Sequence, residues 1–251
     1  MDKGENVSKG LAYLINNVKN LGIDRVGTDG ENSIQYKEIG SMIDHTLLKP
    51  DASEKDVKRI CQEAMTYGFA SVCVNPYWVR MVSTILRNSP VKCCTVIGFP
   101  LGSNTTEVKS FEARNAVTHG AEEVDMVINI GALKSGHYDR VKDDISGVVK
   151  ASGPLVKVKV ILETSYLSDE EKIKASLLAM EAGADFVKTS TGFGPGGATA
   201  RDVAIMRKVV DGYIGIKAAG GIRSYEKAVE MIEAGATRIG ASAGIEIVKH
   251  Q

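Results

Sequence analysis

Apolar positions along this chain switch repeatedly from a spacing of three or four residues to a spacing of two, and a glycine marks the switch. The junctions TYGFASVCV (66–74), THGAEEVDMV (118–127), MEAGADFVKT (180–189) and IEAGATRIGA (232–241) share this form. In each, a helical stretch ends at Gly68, Gly120, Gly183 or Gly235, and a β-rich run follows within a few residues. Glycine suits the left-handed position after a helix's last turn, where a side chain would be strained. Helix starts are marked as well. Ser53-x-x-Asp56, Ser168-x-x-Glu171 and Thr199-x-x-Asp202 read as capping-box starts, with Asp the weaker third-position partner. After Ser53, the residues Val57, Ile60, Cys61 and Ala64 form an apolar stripe at helical spacing. After Ser168, Ile173, Leu177 and Met180 do the same.

The strand-like runs are SMIDHT (41–46), ASVCVN (70–75), CCTVIGF (93–99), EVDMVIN (123–129), VKVKVILE (156–163), FVKTST (186–191), IGIKAAG (214–220) and RIGAS (238–242). Helical segments separate most neighbours, and alternation of β and α implies a parallel sheet. Eight such runs favour a single (β/α)8 TIM barrel, an α/β fold. An open doubly wound sheet is the alternative, but the GxGxxG turn expected after an early strand is absent. Residues 1–37 precede the rhythm and read as a short helical N-terminal extension, leaving 38–251 as the barrel domain.

Composition narrows the function. Lys+Arg and Asp+Glu balance at 31 each, so no electrostatic footprint for nucleic acid or an anionic membrane is expected. No apolar run approaches the ~20 residues of a membrane span, and MDKGENVSKGLAYLINN lacks the apolar core of a signal peptide. Cys61, Cys73, Cys93 and Cys94 form no CxxC, no His stands at zinc-like spacing, and Cys93 and Cys94 should alternate across a strand. Reduced, buried thiols in a cytoplasmic protein, with no metal, are expected.

A barrel places its site at the C-terminal ends of its strands. Asp44, Asp125, Lys188 and Lys217 interrupt strand runs where packing alone would put Val or Ile. Lys157 and Lys159 also lie in such a run, near its start, and read as solvent-facing lysines at the barrel's bottom. Lys188 leads into Thr-Ser-Thr-Gly and a glycine-rich loop, 192–197. Lys217 shares a strand face with Gly215 and Ala219, whose small size leaves room for a long side chain. Two amines in one pocket would let one ammonium lower its neighbour's pKa and yield a nucleophile. Asp125 suits a carboxylate that pairs with a lysine and relays protons, or a structural ion pair. Asp44 and His45 equally fit the end of a strand, and Cys73 reads first as a small core residue. Gly220-Gly221-Ile222-Arg223 and Gly240-Ala241-Ser242 follow the seventh and eighth strands, where barrels commonly bind phosphate.

With these residues assembled, the chain from about Ile39 to Val248 resembles the deoxyribose-phosphate aldolase family. The motifs that carry the resemblance are IDHTLLKP (43–50), SVCVNP (71–76), VIGFPLG (96–102), EVDMVINIGAL (123–133), VILETSYL (160–167), FVKTSTGF (186–193), IKAAGGIRSYEKA (216–228) and RIGASAG (238–244). The resemblance implies a class I aldolase of deoxyribose phosphate catabolism, without metal or organic cofactor. It would interconvert 2-deoxy-D-ribose 5-phosphate with acetaldehyde and D-glyceraldehyde 3-phosphate. It implies Lys188 as the Schiff-base former, Lys217 as its pKa-lowering neighbour and Asp125 as the proton-transfer partner. Asp44 and Cys73 match positions lining the same pocket. Thr191 and Gly192 belong to its polar exit, and Gly192, Gly220, Gly221, Arg223, Gly240 and Ser242 match the phosphate side. A homodimer is common in the family. Two departures stand out: Ala219 replaces a frequent serine, and the chain ends IVKHQ where some members carry a terminal tyrosine that assists enamine protonation. The competing expectations are another sugar-phosphate barrel, either an aldolase with a different acceptor or an isomerase, and a sensor or scaffold that binds without turnover.

Overall fold

All eight expected runs form strands, and these pair in sequence order into a closed parallel barrel. The computed structural model describes residues 39–249; the expected extension over 1–37 and the two C-terminal residues lie outside them. The strands are β1 (Ile43–Leu47), β2 (Ser71–Val74), β3 (Lys92–Ile97), β4 (Glu123–Val127), β5 (Lys157–Ile161), β6 (Phe186–Lys188), β7 (Gly215–Ala219) and β8 (Arg238–Ala241). Around them run α1 (Glu54–Tyr67), α2 (Val79–Leu86), α3 (Thr106–Thr118), α4 (Ile130–Lys134), α5 (Tyr138–Ser152), α6 (Asp169–Glu181), α7 (Ala200–Val210), α8 (Tyr225–Glu233) and α9 (Gly244–Lys249). Among the described residues, no helix is long and apolar enough to cross a membrane.

The local signals act as their chemistry dictates. Ser53 and Ser168 each accept from the backbone at the third helical position, and Asp56 and Glu171 close the reciprocal bond. Such caps are worth about 0.5–2 kcal/mol each. Thr199 caps α7 by accepting from Asp202 N, but the Asp202 carboxylate turns away to Lys172 on α6 at 2.6 Å. A tertiary ion pair has taken the partner that the capping box would have used. Gly68, Gly120, Gly183 and Gly235 all adopt positive φ, between 65° and 114°.

Most apolar side chains fill the layer between barrel and helices, including the stripe Val57, Ile60, Cys61 and Ala64. The stripe on α6 is divided. Ala175, Leu178 and Ala179 face the main core, whereas Ile173 and Leu177 pack with Ile205 and Val209 of α7. The helix therefore serves two neighbours, which widens its apolar face beyond one stripe. Cys93 and Cys94 do alternate. Cys93 joins the outer layer, and Cys94 points into the barrel with Leu48, Cys73 and Val96. That apolar group lies on the β2–β3 side of the interior, and charged side chains from β4 to β8 and from Asp44 of β1 fill the rest.

Candidate active site

Strand alternation turns Asp125, Lys159, Lys188 and Lys217 inward from four consecutive strands, β4 to β7. Parallel pairing sets Asp125 beside Lys159 and Lys188 beside Lys217. Asp125 is fully buried and is the hub of the cluster. Its Oδ2 accepts from Lys188 Nζ at 2.8 Å and from Lys217 Nζ at 2.6 Å, so both amines meet at one oxygen. Its Oδ1 accepts from Lys159 Nζ at 2.8 Å and from Cys94 Sγ at 3.3 Å.

Lys159 corrects the sequence reading. The expected bottom-facing, solvated lysine is completely buried and also meets Glu123 at 2.7 Å. Only Lys157, one full pleat earlier, is exposed. A lysine accepts such burial only with matched anions, and three carboxylates supply them. Asp44, also fully buried, contacts Lys217 Nζ at 2.5 Å, Arg238 at 2.6 Å and Ser71 Oγ at 2.7 Å. Arg238 completes the set against Glu123 at 3.1 Å.

Electrostatics follow from this geometry. Burial alone would push the Asp125 carboxyl up, but Lys159, Lys188 and Lys217 outweigh it and hold it well below the carboxylate range. Asp44 is likewise held low, with burial overcome by Lys159, Lys217 and Arg238. Burial pulls Lys217 down, yet Asp125 and Asp44 raise it above an ordinary lysine, so it remains a fixed cation. Lys159 is raised in the same way, against its burial, by Asp125 and Asp44.

The room for Lys217 comes from a different residue than expected. A Cβ on Gly215 would strike the Phe186 ring, whereas a Cβ on Gly240 would stand 2.9 Å from Lys217 Cε and from Ala219 Cβ. Gly240 on β8 is therefore the position that must stay bare.

Above the cluster opens a cavity of about 260 Å³. Lys188 reaches it, and Thr191, Gly192, Gly220, Gly221, Arg223, Gly240 and Ser242 line it with Ala219. Thr46, Lys49 and Phe193 complete much of the wall. Gly220 and Gly221 adopt φ of 92° and 79°, which leaves a turn without side chains facing an exposed Arg223. Asp44 and Cys73 belong to the layer beneath and are not among the lining residues.

Glu163 was not singled out from the sequence. It sits just past β5 with a left-handed backbone (φ 56°, ψ 64°), costly for a residue with a Cβ. Its buried carboxylate accepts from Thr191 N at 3.2 Å and from Thr191 Oγ1. A Cβ on Gly194 would meet this carboxylate at 2.9 Å. Glu163 thus anchors the loop that carries Thr191, Gly192 and Phe193 over the cavity. An acidic residue directly after the apolar stretch Val160-Ile161-Leu162 was the available signal.

The arrangement presents one amine at the floor of a cavity, a carboxylate touching that amine, a fixed cation on the same carboxylate, and a glycine-rich wall. Comparisons with known proteins show the family. A family model described as DeoC/LacD family aldolase matches residues 41–250. The deoxyribose-phosphate aldolase of Caldanaerobacter subterraneus subsp. tengcongensis is 64% identical over 214 residues, covering 84% of this chain and 92% of the relative. Among solved structures, the aldolase QR15 superposes with a TM-score of 0.81 at 47% identity, over 84% of this chain and 94% of that one. The tetrameric deoxyribose phosphate aldolase of Aeropyrum pernix gives 0.80 at 37% identity, over 86% and 91%.

Proposed function

Because this chain belongs to the DeoC/LacD family of aldolases, we propose that it cleaves 2-deoxy-D-ribose 5-phosphate reversibly through a Schiff base on Lys188. The observation that carries the reading is the shared Asp125 oxygen, which holds Lys188 and Lys217 together at the cavity floor. An amine must be neutral to attack a carbonyl. The buried cluster contains four basic side chains, Lys159, Lys188, Lys217 and Arg238, against the carboxylates of Asp44, Glu123 and Asp125. With Lys188 neutral, cations and anions balance, and the low-dielectric interior favours that balance.

The steps follow from the geometry. Lys188 Nζ attacks C1 of the open-chain sugar, and loss of water gives an iminium. The iminium draws in the electrons of the C2–C3 bond as the C3 hydroxyl loses its proton. C1 and C2 remain on the lysine as an enamine, and C3 to C5 leave as glyceraldehyde 3-phosphate. Protonation at C2 and hydrolysis then release acetaldehyde and restore the amine. Asp125, within reach of Lys188, moves protons between that amine and the substrate, directly or through water. Lys217 stays charged beside Lys188 and is held in place by Asp44. Cys73 packs under the reacting groups. Gly220, Gly221, Arg223 and Ser242 take the phosphate, with Gly240 keeping the adjacent wall open. Thr191 and Gly192 border the sugar. The four free, buried cysteines fit a reducing compartment such as the cytoplasm. Self-association as a dimer or larger assembly is read by sedimentation.

The test is incubation with acetaldehyde and borohydride, followed by intact and peptide mass spectrometry. A two-carbon adduct confined to Lys188, and missing from a folded Lys188→Ala variant, is the expected result. Normal turnover by that variant overturns the assignment, and absence of any adduct with retained sugar-phosphate binding favours a non-covalent isomerase or a sensor.

A further inference from the structure

Beneath the lysines lie two thiols that the aldol chemistry leaves unused. Cys73 on β2 and Cys94 on β3 are direct partners in the strand register, and both point into the barrel. Their sulfurs and one carboxylate oxygen of Asp125 all lie within 4.8 Å of one another. A tetrahedral site with thiolate and carboxylate ligands keeps its donor atoms roughly 3.5–4 Å apart, so modest side-chain rotation suffices. We propose that Cys73, Cys94 and Asp125 form a binding site for a soft, thiophilic divalent cation of the zinc and cadmium type, whose capture switches the aldolase off.

Three nearby lysines, Lys159, Lys188 and Lys217, would repel a bare dication. The exchange removes that objection. Two thiols lose two protons to solvent as two metal–sulfur bonds form, so the net charge of the buried cluster does not change. Thiolate donors select soft cations over magnesium or calcium. On the far side the site rests against Leu48, Val96 and Phe99, which offer no competing oxygen. Asp125 links the site to the amine at the cavity floor, meeting Cys94 on one oxygen and Lys188 on the other.

Inhibition rests on the proposed role of Asp125, and binding does not. A metal on Asp125 draws the carboxylate toward β2 and β3 and away from Lys188 and Lys217. Displacing a catalytic group by even an ångström costs on the order of a hundredfold in rate. Cadmium is the probe. The reduced full chain, equilibrated with Cd²⁺, should bind one equivalent with a thiolate-to-cadmium absorption band and a cadmium NMR shift typical of two sulfur donors. Turnover should fall at least about tenfold and return on adding a chelator. Cys94→Ser should lose the band, and its rate relative to its own metal-free rate should stay flat. A wild-type NMR shift showing no sulfur donor, or a band that survives Cys94→Ser, overturns the site without any appeal to activity. Binding with two sulfur donors but unimpaired turnover overturns the switch. Turnover retained by Asp125→Asn would then place that failure in the mechanism and not in the metal site.

Discussion

Replacing Lys159 and Lys188 separately by methionine, which keeps most of the volume, tests the charge balance inside the barrel. With Lys188 neutral, the cluster holds Lys159, Lys217 and Arg238 against Asp44, Glu123 and Asp125. Lys159→Met removes a fully buried cation that touches Asp125 at 2.8 Å and Glu123 at 2.7 Å. One carboxylate is then left uncompensated, at about 3–5 kcal/mol. Lys188→Met leaves the balance intact and forfeits one hydrogen bond to Asp125, about 1 kcal/mol. The predicted gap between the variants is therefore about 2–4 kcal/mol, from the difference of those two terms. Urea unfolding followed through the single tryptophan, Trp78, and through far-UV circular dichroism measures it. For a domain of this size Lys159→Met should melt roughly 6–20 °C below the wild type, and Lys188→Met within a few degrees of it. Equal destabilisation by both variants would refute the reasoning, because Lys188 would then have been a cation that the cluster needs.

Gly240→Ala sets a methyl 2.9 Å from Lys217 Cε; kcat should fall about 10–100-fold with little change in KM, as expected for a displaced catalytic group. Arg223→Ala removes a charge from the glycine-rich wall and should lower kcat/KM for the phosphorylated sugar by roughly ten- to 150-fold, the equivalent of about 1.5–3 kcal/mol. Unphosphorylated deoxyribose should be turned over equally by that variant and the wild type, and a parallel loss would remove Arg223 from the phosphate side. Glu163→Gln weakens the anchor on Thr191 and should raise KM more than it lowers kcat; unchanged kinetics would show that the loop holds without it. The native carboxyls of Asp44 and Asp125 lie below their unfolded value of 3.8. The stability they contribute is thus complete above about pH 4 and declines as pH falls toward the native values, because the unfolded chain binds those protons first. Acid unfolding curves for Asp44→Asn should lose part of that slope.

The barrel and much of its chemistry are legible along the chain. Period-two runs, glycines at Gly68, Gly120, Gly183 and Gly235, and the caps at Ser53 and Ser168 are local signals, and each acts where it stands. Alternation also told which residues of a strand share a face, so Lys188, Lys217 and Asp125 were legible as inward groups. It could not tell how deep a residue sits relative to one on another strand. Closing a barrel tilts and staggers its strands, and the stagger is a property of the whole sheet. That register set Lys159 level with Asp125 and made a supposed surface lysine the cluster's second cation. It also put Gly240 against Lys217, Glu163 against Thr191, and Cys73 beside Cys94. These neighbours lie on different strands or on the loops that leave them, and a pattern along one strand carries no information about the height of the next.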